Sequence, residues 1–554
     1  MNIYFFNPPI GTEVANLDYN YMLFRTTCPE HHWLFPIIDW SDYKDIGDIV
    51  QEILSHDPHA VLMSIYIWNE TLCSDVARRL KEKRPDLPIL VGGPQIRYTP
   101  DYFEEHPGFD LICTQYGEHF LPEALSQIEQ HGTIVEPLTI PWALSREGLS
   151  PVTQKFEWGE DNIALDNLDY VVEVTHYAAR SDKTVSFNYE TTRGCPFQCS
   201  YCEWGGGTNT KVIAKPFERI EAELSLLLPM GIDNLGISDA NFGILKRDAD
   251  IIDLAATMRE SCGYPEAFMC FGYTKTKMKQ RERVLDRLLY HGFDDHFYMA
   301  FQSVNPQALV INRRTDIGQA DYFSLYNRFR DKYGISARLE CIMGLPGSTL
   351  QDFYHEMDLV QYLGGWHYGI NVFYLLPNVE AFGQTYRERY QVGTFPGQLP
   401  YSEEFRASEE SFHDTTILSR YRSACEVVCE SYSYTRWEWM EMHVMGTTQS
   451  LYGDHLTRLP SSVAPRLWQW FKDQSWFSVI ESHYERLFDG LHKGDFLILS
   501  NGENLFEFIR THVPHMAEVI RRLENDDDPL PHTQESVDHF LRSSADNTII
   551  KVAS

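Results

Sequence analysis

Three closely spaced cysteines lie in the stretch TTRGCPFQCSYCEWGGGTNTK, and Cys195, Cys199 and Cys202 have the spacing Cys-x-x-x-Cys-x-x-Cys. Thiolates of this kind bind soft metals. A structural zinc site usually needs four ligands in two pairs, and no second close pair follows. A redox dithiol needs only Cys199 and Cys202. An iron–sulfur cluster normally takes four thiolates, so three would leave one iron open to another ligand.

Segments typical of strands and helices alternate on both sides of these cysteines. Upstream, AVLMSIYI and ILVGGP are continuous apolar runs, typical of strands buried on both faces of a parallel sheet. The intervening segments have apolar residues at helical spacing, so a doubly wound Rossmann-like sheet is predicted. Downstream, six strand–helix repeats with polar strand ends predict a partial or full parallel (β/α) barrel.

The predicted chain is therefore an α/β protein in four parts. The boundaries are a Rossmann-like domain at residues 1–135, a connector at 136–184, a barrel at 185–395 and a mainly helical region at 396–554. The barrel begins just before the cysteines, so they would follow its first strand. Because barrel enzymes place their chemistry at strand ends, the cysteine loop is the expected catalytic centre.

Composition narrows the class of partner and compartment. The formal net charge of −32 disfavours binding to a nucleic-acid backbone. The sequence contains no run of about twenty apolar residues, so no membrane span is predicted. The first residues, MNIYFFNPPIG, lack the pattern of a secretion signal. The eleven cysteines are odd in number and mostly scattered, which predicts a reducing, cytoplasmic environment rather than a disulfide framework.

The pattern Cys-x-x-x-Cys-x-aromatic-Cys after a barrel's first strand resembles the motif of the radical SAM superfamily. The resemblance implies that Cys195, Cys199 and Cys202 hold a 4Fe-4S cluster. The open iron would bind S-adenosyl-L-methionine, and an electron from an external donor would cleave it to a 5′-deoxyadenosyl radical. On this reading, the cofactor supplies the ligand that the cysteine motif lacks.

The same resemblance assigns S-adenosylmethionine contacts to the ends of several strands. In the second-strand segment SDANFG, this sequence departs from the family's Gly-Gly-Glu wording, and Asp239 is the acidic residue that could pair with an ammonium group. The glycines Gly205–Gly207 would let the backbone approach a bulky cofactor or the cluster. The assigned contacts are Tyr201, Ser238, Asp239, Asn241, Gln302, Ser303, Glu340 and Gly344.

The Rossmann-like domain ahead of the barrel resembles the cobalamin (B12)-binding class of this superfamily. The residues carried over from ILVGGPQ and TQYGEHFLPEAL are Gly92, Gly93, Gly117 and Glu118. The Asp-x-His-x-x-Gly motif that places a histidine on cobalt does not occur in this sequence. His31 and His32 are therefore considered as alternative cobalt ligands, although such a pair is more often polar surface.

The resemblance as a whole implies a cobalamin-dependent radical SAM C-methyltransferase acting on an unactivated carbon. One S-adenosylmethionine would methylate cobalt and another would generate the radical. The substrate would be a peptide or a small natural-product scaffold, selected by the C-terminal region, since a shared barrel gains its selectivity from added parts. Two alternatives remain open: a rearrangement or ring change without methyl transfer, and a non-catalytic iron–sulfur binding or regulatory protein.

Overall fold

The computed structural model describes most of the chain. The described residues are 1–9, 14–35, 39–159, 161–204, 211–275, 277–294, 296–315, 318–362, 367–398, 417–421, 423–452, 462–491, 497–499, 503–513 and 516–524. The glycine-rich segment Gly205–Gly207 lies outside them. No helix among the described residues has the length and apolarity that crossing a membrane requires.

The N-terminal part alternates strands and helices as predicted. Its elements are β1 (Asn2–Phe6), β2 (Val14–Leu17), α1 (Tyr19–Thr27), β3 (His32–Leu34), α2 (Ile46–Ser55), β4 (Ala60–Ser64), α3 (Glu70–Lys83), β5 (Ile89–Gly92), α4 (Tyr102–Glu105), β6 (Leu111–Cys113), α5 (Gly117–His131), β7 (Ala143–Ser145) and β8 (Gly148–Leu149). Seven of these strands form a sheet in the order β3-β1-β4-β5-β6-β7-β8.

This first sheet is buried on both faces. Along β1, Ile3 and Phe5 pack into one apolar cluster with α1 and α5, whereas Tyr4 and Phe6 pack into another with α2 and α3. Strands β3, β1, β4, β5 and β6 are parallel, and β7 and β8 add antiparallel strands at one edge. The doubly wound architecture is confirmed, and the predicted connector contributes the two edge strands.

The central part carries the barrel strands and their helices. Its elements are α6 (Leu168–Ser181), β9 (Thr184–Tyr189), β10 (Thr192–Arg193), β11 (Ile213–Ala214), α7 (Phe217–Leu227), β12 (Asn234–Ile237), α8 (Asp248–Cys262), β13 (Ala267–Cys270), α9 (Met278–Tyr290), β14 (His296–Gln302), α10 (Pro306–Ile311), α11 (Gln319–Tyr333), β15 (Ser336–Met343), α12 (Leu350–Tyr362) and β16 (His367–Val372).

The six parallel barrel strands fall into two groups, β9-β12-β13 and β14-β15-β16. The buried Arg281 joins them, since its guanidinium donates both to the Thr274 carbonyl oxygen after β13 and to the Tyr298 carbonyl oxygen on β14. At the other edge, β2 pairs in parallel with β9. A strand from the N-terminal part thus extends the barrel sheet, across the boundary predicted at residue 135.

The C-terminal part is mainly helical, with a small antiparallel sheet in the order β17-β19-β18. Its elements are β17 (Tyr374–Leu375), α13 (Gln384–Tyr390), β18 (Gly393–Gln398), α14 (Ile417–Arg420), β19 (Ala424–Glu430), α15 (Arg436–Tyr452), α16 (Ala464–Lys472), α17 (Phe477–Phe488), α18 (Leu505–His512) and α19 (Met516–Glu524). Buried residues of α15–α18 share one apolar cluster with Met343 at the end of β15, which packs this region onto the barrel.

Candidate cofactor site between the two sheets

The three cysteines lie in a loop that leaves the hairpin β10–β11, directly beyond the first barrel strand. Cys195 and Cys199 are buried, and Cys202 is half-buried. The Asn241 side-chain amide donates to Cys195 Sγ at 2.8 Å, and Lys275 Nζ lies 3.8 Å from Cys199 Sγ. Burial raises the pKa of the Cys202 thiol, and the positive charge of Lys275 opposes that rise. The loop therefore has neighbours that favour thiolates.

The cysteine loop is fastened to the barrel by backbone and side-chain hydrogen bonds. The Ser200 amide donates to the Asn312 carbonyl oxygen at 3.0 Å, and its hydroxyl donates to Asn312 Oδ1 at 2.9 Å. The Ala381 amide donates to the Ser200 carbonyl oxygen. Arg314 Nη1 donates to the Tyr201 hydroxyl at 3.4 Å. The residues between the cysteines are thus held by groups beyond β14 and β17.

The arrangement of the three cysteines helps to distinguish a single-metal site from a cluster site. Among the residues that the structure describes, no three His, Cys, Asp or Glu side chains are grouped to hold one metal ion. A cubane cluster does not need such a group, since its cysteine thiolates bind different irons.

Asp239 lies just beyond the end of β12, and its carboxylate accepts hydrogen bonds from the strand that leads into the cysteine loop. Its carboxylate accepts hydrogen bonds from the Thr191 amide at 2.7 Å, the Thr191 hydroxyl at 2.5 Å and the Thr192 amide at 2.9 Å. Burial raises the pKa of Asp239 to about 7, against the opposing effect of these donors. Its visible task is therefore to shape the strand that leads into the cysteine loop.

Two buried amide oxygens fit the polar groups of a cofactor. Asn241 Oδ1 and Gln302 Oε1 have no hydrogen-bond partner within the described part of the chain, and the two residues are only 3% and 9% exposed. A buried acceptor without a partner is costly, so a donor from a ligand would stabilise it. Ammonium and hydroxyl groups of S-adenosylmethionine supply such donors. Gln302 also has φ 65°, a strained backbone conformation that recurs at ligand sites.

The other predicted S-adenosylmethionine contacts differ in their surroundings. The Ser303 hydroxyl lies 2.7 Å from that of Ser348, so its bonding is internal. Glu340 is half-buried on β15, between β14 and β16. Gly344 has φ 88°, and its carbonyl oxygen accepts from the Tyr434 hydroxyl at 2.6 Å. Of this group, only Ser238 lines the cavity described next.

A cavity of about 360 Å³ lies between the carboxyl ends of the first sheet and those of the barrel strands. The N-terminal part supplies Gly92, Gly93, Gly117 and Glu118, all four of the predicted cobalamin residues. The residues that the barrel part contributes are Glu190, Thr192, Arg193, Gly194, Glu203, Trp204, Ser238 and Ala240. Such a position, outside the carboxyl ends of parallel strands, is where open α/β sheets bind ligands.

His31 and His32 lie elsewhere. They line a separate cavity of about 480 Å³ beside the edge strand β3, together with Arg25 and Asp169. Neither histidine lines the cavity between the sheets.

Sequence reasoning missed the surroundings of Arg193, the residue two positions before Cys195. It forms ion pairs with Glu190 and Glu118, and the connector residues Phe156 and Trp158 lie against its guanidinium. Spacing gave no signal for this cluster, because its members come from three separate parts of the chain. The one available signal was Arg193 itself, a charged residue beside the motif.

Two family models match the chain. The B12 binding domain model matches residues 38–125, and the Radical SAM superfamily model matches residues 189–360. The first range holds the predicted cobalamin residues, and the second holds the three cysteines and all predicted S-adenosylmethionine contacts.

Among curated relatives, the chain is 26% identical over 415 residues to the 2-(S-pantetheinyl)-carbapenam-3-carboxylate methyltransferase of Streptantibioticus cattleyicolor, covering 73% of this chain and 58% of that protein. It is 26% identical over 390 residues to the cobalamin-dependent radical SAM methyltransferase TokK of Streptomyces tokunonensis, covering 68% of this chain and 56% of that protein. The chain thus spans less than two thirds of the length of either relative.

Two solved structures share the fold. The radical S-adenosylmethionine methyltransferase TsrM of Kitasatospora setae superposes with a TM-score of 0.58 at 15% identity, over 92% of this chain and 99% of that one. The cobalamin-dependent S-adenosylmethionine radical enzyme OxsB superposes with a TM-score of 0.58 at 13% identity, over 98% and 84%. The two family models match in the order that the sequence predicts, with the B12 binding domain ahead of the Radical SAM superfamily domain.

Proposed function

We propose that this chain is a cobalamin-dependent radical SAM C-methyltransferase whose cofactors meet at the cavity between the two sheets. One observation carries the proposal. The same cavity is lined by Gly92 and Gly117 from the B12-binding part and by Gly194 and Ser238 from the radical SAM part. A reaction that needs both cofactors requires such a shared space, and a protein using only one does not.

The chain's residues have defined tasks in this proposal. Cys195, Cys199 and Cys202 hold the 4Fe-4S cluster, and Asn241 and Gln302 offer their buried amide oxygens to S-adenosylmethionine. When bound, the cofactors supply a carbon-centred radical and a transferable methyl group. The protein contributes orientation and the exclusion of water.

The proposed substrate is a peptide or a small natural-product scaffold, with an external donor supplying electrons. The similarity to a carbapenam methyltransferase and to TokK supports the small-molecule choice, because these two relatives resemble the chain over its greater part. The C-terminal region packs on the end of β15. This packing supports a role for the C-terminal region in closing the barrel over a substrate and in selecting it.

The test starts with the protein purified without oxygen and reconstituted with iron, sulfide and hydroxocobalamin. After S-adenosylmethionine and a strong reductant are added, both 5′-deoxyadenosine and S-adenosylhomocysteine should form, and cobalt should bind in about equal amount to protein. The first product without the second would favour a rearrangement over methyl transfer. If protein that holds both cofactors forms neither product, the result contradicts an enzymatic function.

Replacement of Cys195, Cys199 and Cys202 together by Ala should remove the brown cluster absorbance and both products. Cys262→Ala is the matched control, since this half-buried cysteine lies on α8, outside the loop. A full cluster spectrum in the triple variant would refute the ligand role of the loop.

A further inference from the structure

The side chain of Arg193 joins two predicted cofactor sites. Its Nε and Nη2 donate to the Glu190 carboxylate at 3.0 and 2.6 Å, and its Nη1 donates to Glu118 Oε1 at 2.8 Å. Glu190 follows the first barrel strand, whereas Glu118 lies in the first turn of α5 in the N-terminal part. A single guanidinium therefore spans the boundary between the two sheets.

Three aromatic rings also lie against the Arg193 guanidinium. Its Cζ lies 4.3 Å from the ring centroid of Phe156, 4.9 Å from that of Trp158 and 5.9 Å from that of Tyr116. Such cation–π contacts strengthen when water is excluded. Burial disfavours the charge, but the carboxylates outweigh it and raise the pKa of Arg193 well above its usual range. The group is therefore a permanent cation held in one place.

The hydrogen bonds of Arg193 to Glu118 and Glu190 fix the distance between α5 and β10. A planar guanidinium that binds carboxylates through several N–H groups fixes orientation as well as distance, which a lysine ammonium does not. The Arg193 backbone lies in β10, two residues before Cys195. Arg193, Glu118 and Glu190 also line the cavity between the sheets. Movement of α5 relative to β10 would have to break these bonds.

We propose that Arg193 is a positioning residue that fixes the cobalamin-binding part at a set distance from the cluster loop. This role rests on the proposed function, because it matters only if both cofactors are bound. Arg193 binds neither cofactor in this view; it acts through Glu118 on one side and through the Cys195 loop on the other.

The test measures the magnetic interaction between reduced cluster and Co(II) cobalamin in the loaded protein. A nearby reduced cluster speeds the relaxation of the Co(II) signal, so its electron paramagnetic resonance saturates at higher power than in the cluster-free triple cysteine variant. Arg193→Met and Glu118→Gln should lose much of this enhancement per bound cobalamin, and all samples are compared at equal cobalamin occupancy because Glu118 is also one of the predicted cobalamin residues. Arg219→Met should keep it: Arg219 also pairs with a carboxylate and lies against Trp158, but it does not line the cavity.

Each result decides a different point. Enhancement equal to wild type in both Arg193→Met and Glu118→Gln would overturn the positioning role and leave the proposed function intact. An equal loss in Arg219→Met would also overturn it, since any removed cation would then have the same effect. If Arg193→Met does not fold, the isosteric Glu118→Gln decides alone. Wild-type protein that binds no cobalamin would overturn the proposed function and this role together.

Discussion

The glycine pair at the end of β5 offers a test of whether its residues serve the fold or a ligand. Gly93 has φ 123°, a conformation that residues with a side chain rarely adopt. A Cβ added there would lie 2.3 Å from the Ile65 carbonyl oxygen and 2.8 Å from the Ile65 amide nitrogen. The Ile65 amide donates to the Gly92 carbonyl oxygen, and the Ile65 carbonyl oxygen accepts from the Gln95 amide. The chain therefore crosses itself here with no room for a side chain.

Gly93→Ala should thus destabilise the N-terminal part even with no cofactor present. Backbone strain of this kind costs on the order of 3 kcal/mol, before any cost of the clash. Gly132→Ala is the control: Gly132 ends α5 at φ 73°, and a Cβ there meets no atom within 4 Å. Its cost is the left-handed conformation alone, about 1 kcal/mol. For a domain of 150–250 residues, about 1 kcal/mol shifts Tm by roughly 2–4 °C.

Cofactor-free protein is the sample, and thermal unfolding by circular dichroism is the assay. Gly132→Ala should lower Tm by a few degrees, and Gly93→Ala by about three times as much. Gly92→Ala belongs in the series because its Cβ would lie 3.4 Å from Cys113 Cβ, so the cofactor-free fold should tolerate it. Equal Tm values for Gly93→Ala and Gly132→Ala would refute the argument that backbone crowding selects Gly93.

Three further perturbations follow from the site. Asn241→Ala removes a donor to Cys195 and should lower the cluster's reduction potential in a redox titration, because N–H donation favours the more negative reduced state; an unchanged potential would refute this contact. Burial raises the pKa of Asp239 in the folded protein from 3.8 to about 7, so the native state holds a proton more tightly than the unfolded chain. The free energy of unfolding therefore falls as pH rises from 3.8 to about 7, by about 4 kcal/mol at most. Asp239→Asn should therefore gain Tm relative to wild type between pH 5 and 8, and a pH-independent difference would count against it. Lys215→Met should cost about 1.5–3 kcal/mol, because the buried Glu223 carboxylate loses one charged hydrogen-bond partner and keeps Arg219; unfolding as late as wild type would contradict this.

Much of the fold could be predicted because its strands obey simple patterns. The strand β4 is apolar at its first four positions and buried at all five, as expected for a strand covered by helices on both sides. The structure of the connector was harder to predict. Its helix α6 buries only one face, and Phe156 and Trp158 lie among polar residues. Their role depends on cations supplied by distant segments, which local periodicity cannot reveal.

The pairing of β2 with β9 was also beyond reach. The four residues of β2 are too few for a reliable alternation, and their partner lies about 170 residues later in sequence. That pairing brings α1, which follows β2, against the barrel: the Tyr19 hydroxyl accepts from Lys215 Nζ at 3.1 Å. The two cofactor-binding parts are therefore interlocked by backbone as well as by Arg193.

Asp239 and Asn241 show where strand-end reasoning stops. The rule selected the right segment, but successive residues after a strand point in different directions, so it could not select the atom. The Asp239 carboxylate is occupied by Thr191 and Thr192, whereas Asn241 Oδ1 has no partner among the described residues. If neutral amide oxygens receive the cofactor, S-adenosylmethionine binding should stay level from pH 6 to 8. A binding curve that follows a pKa of about 7 would instead return the contact to Asp239.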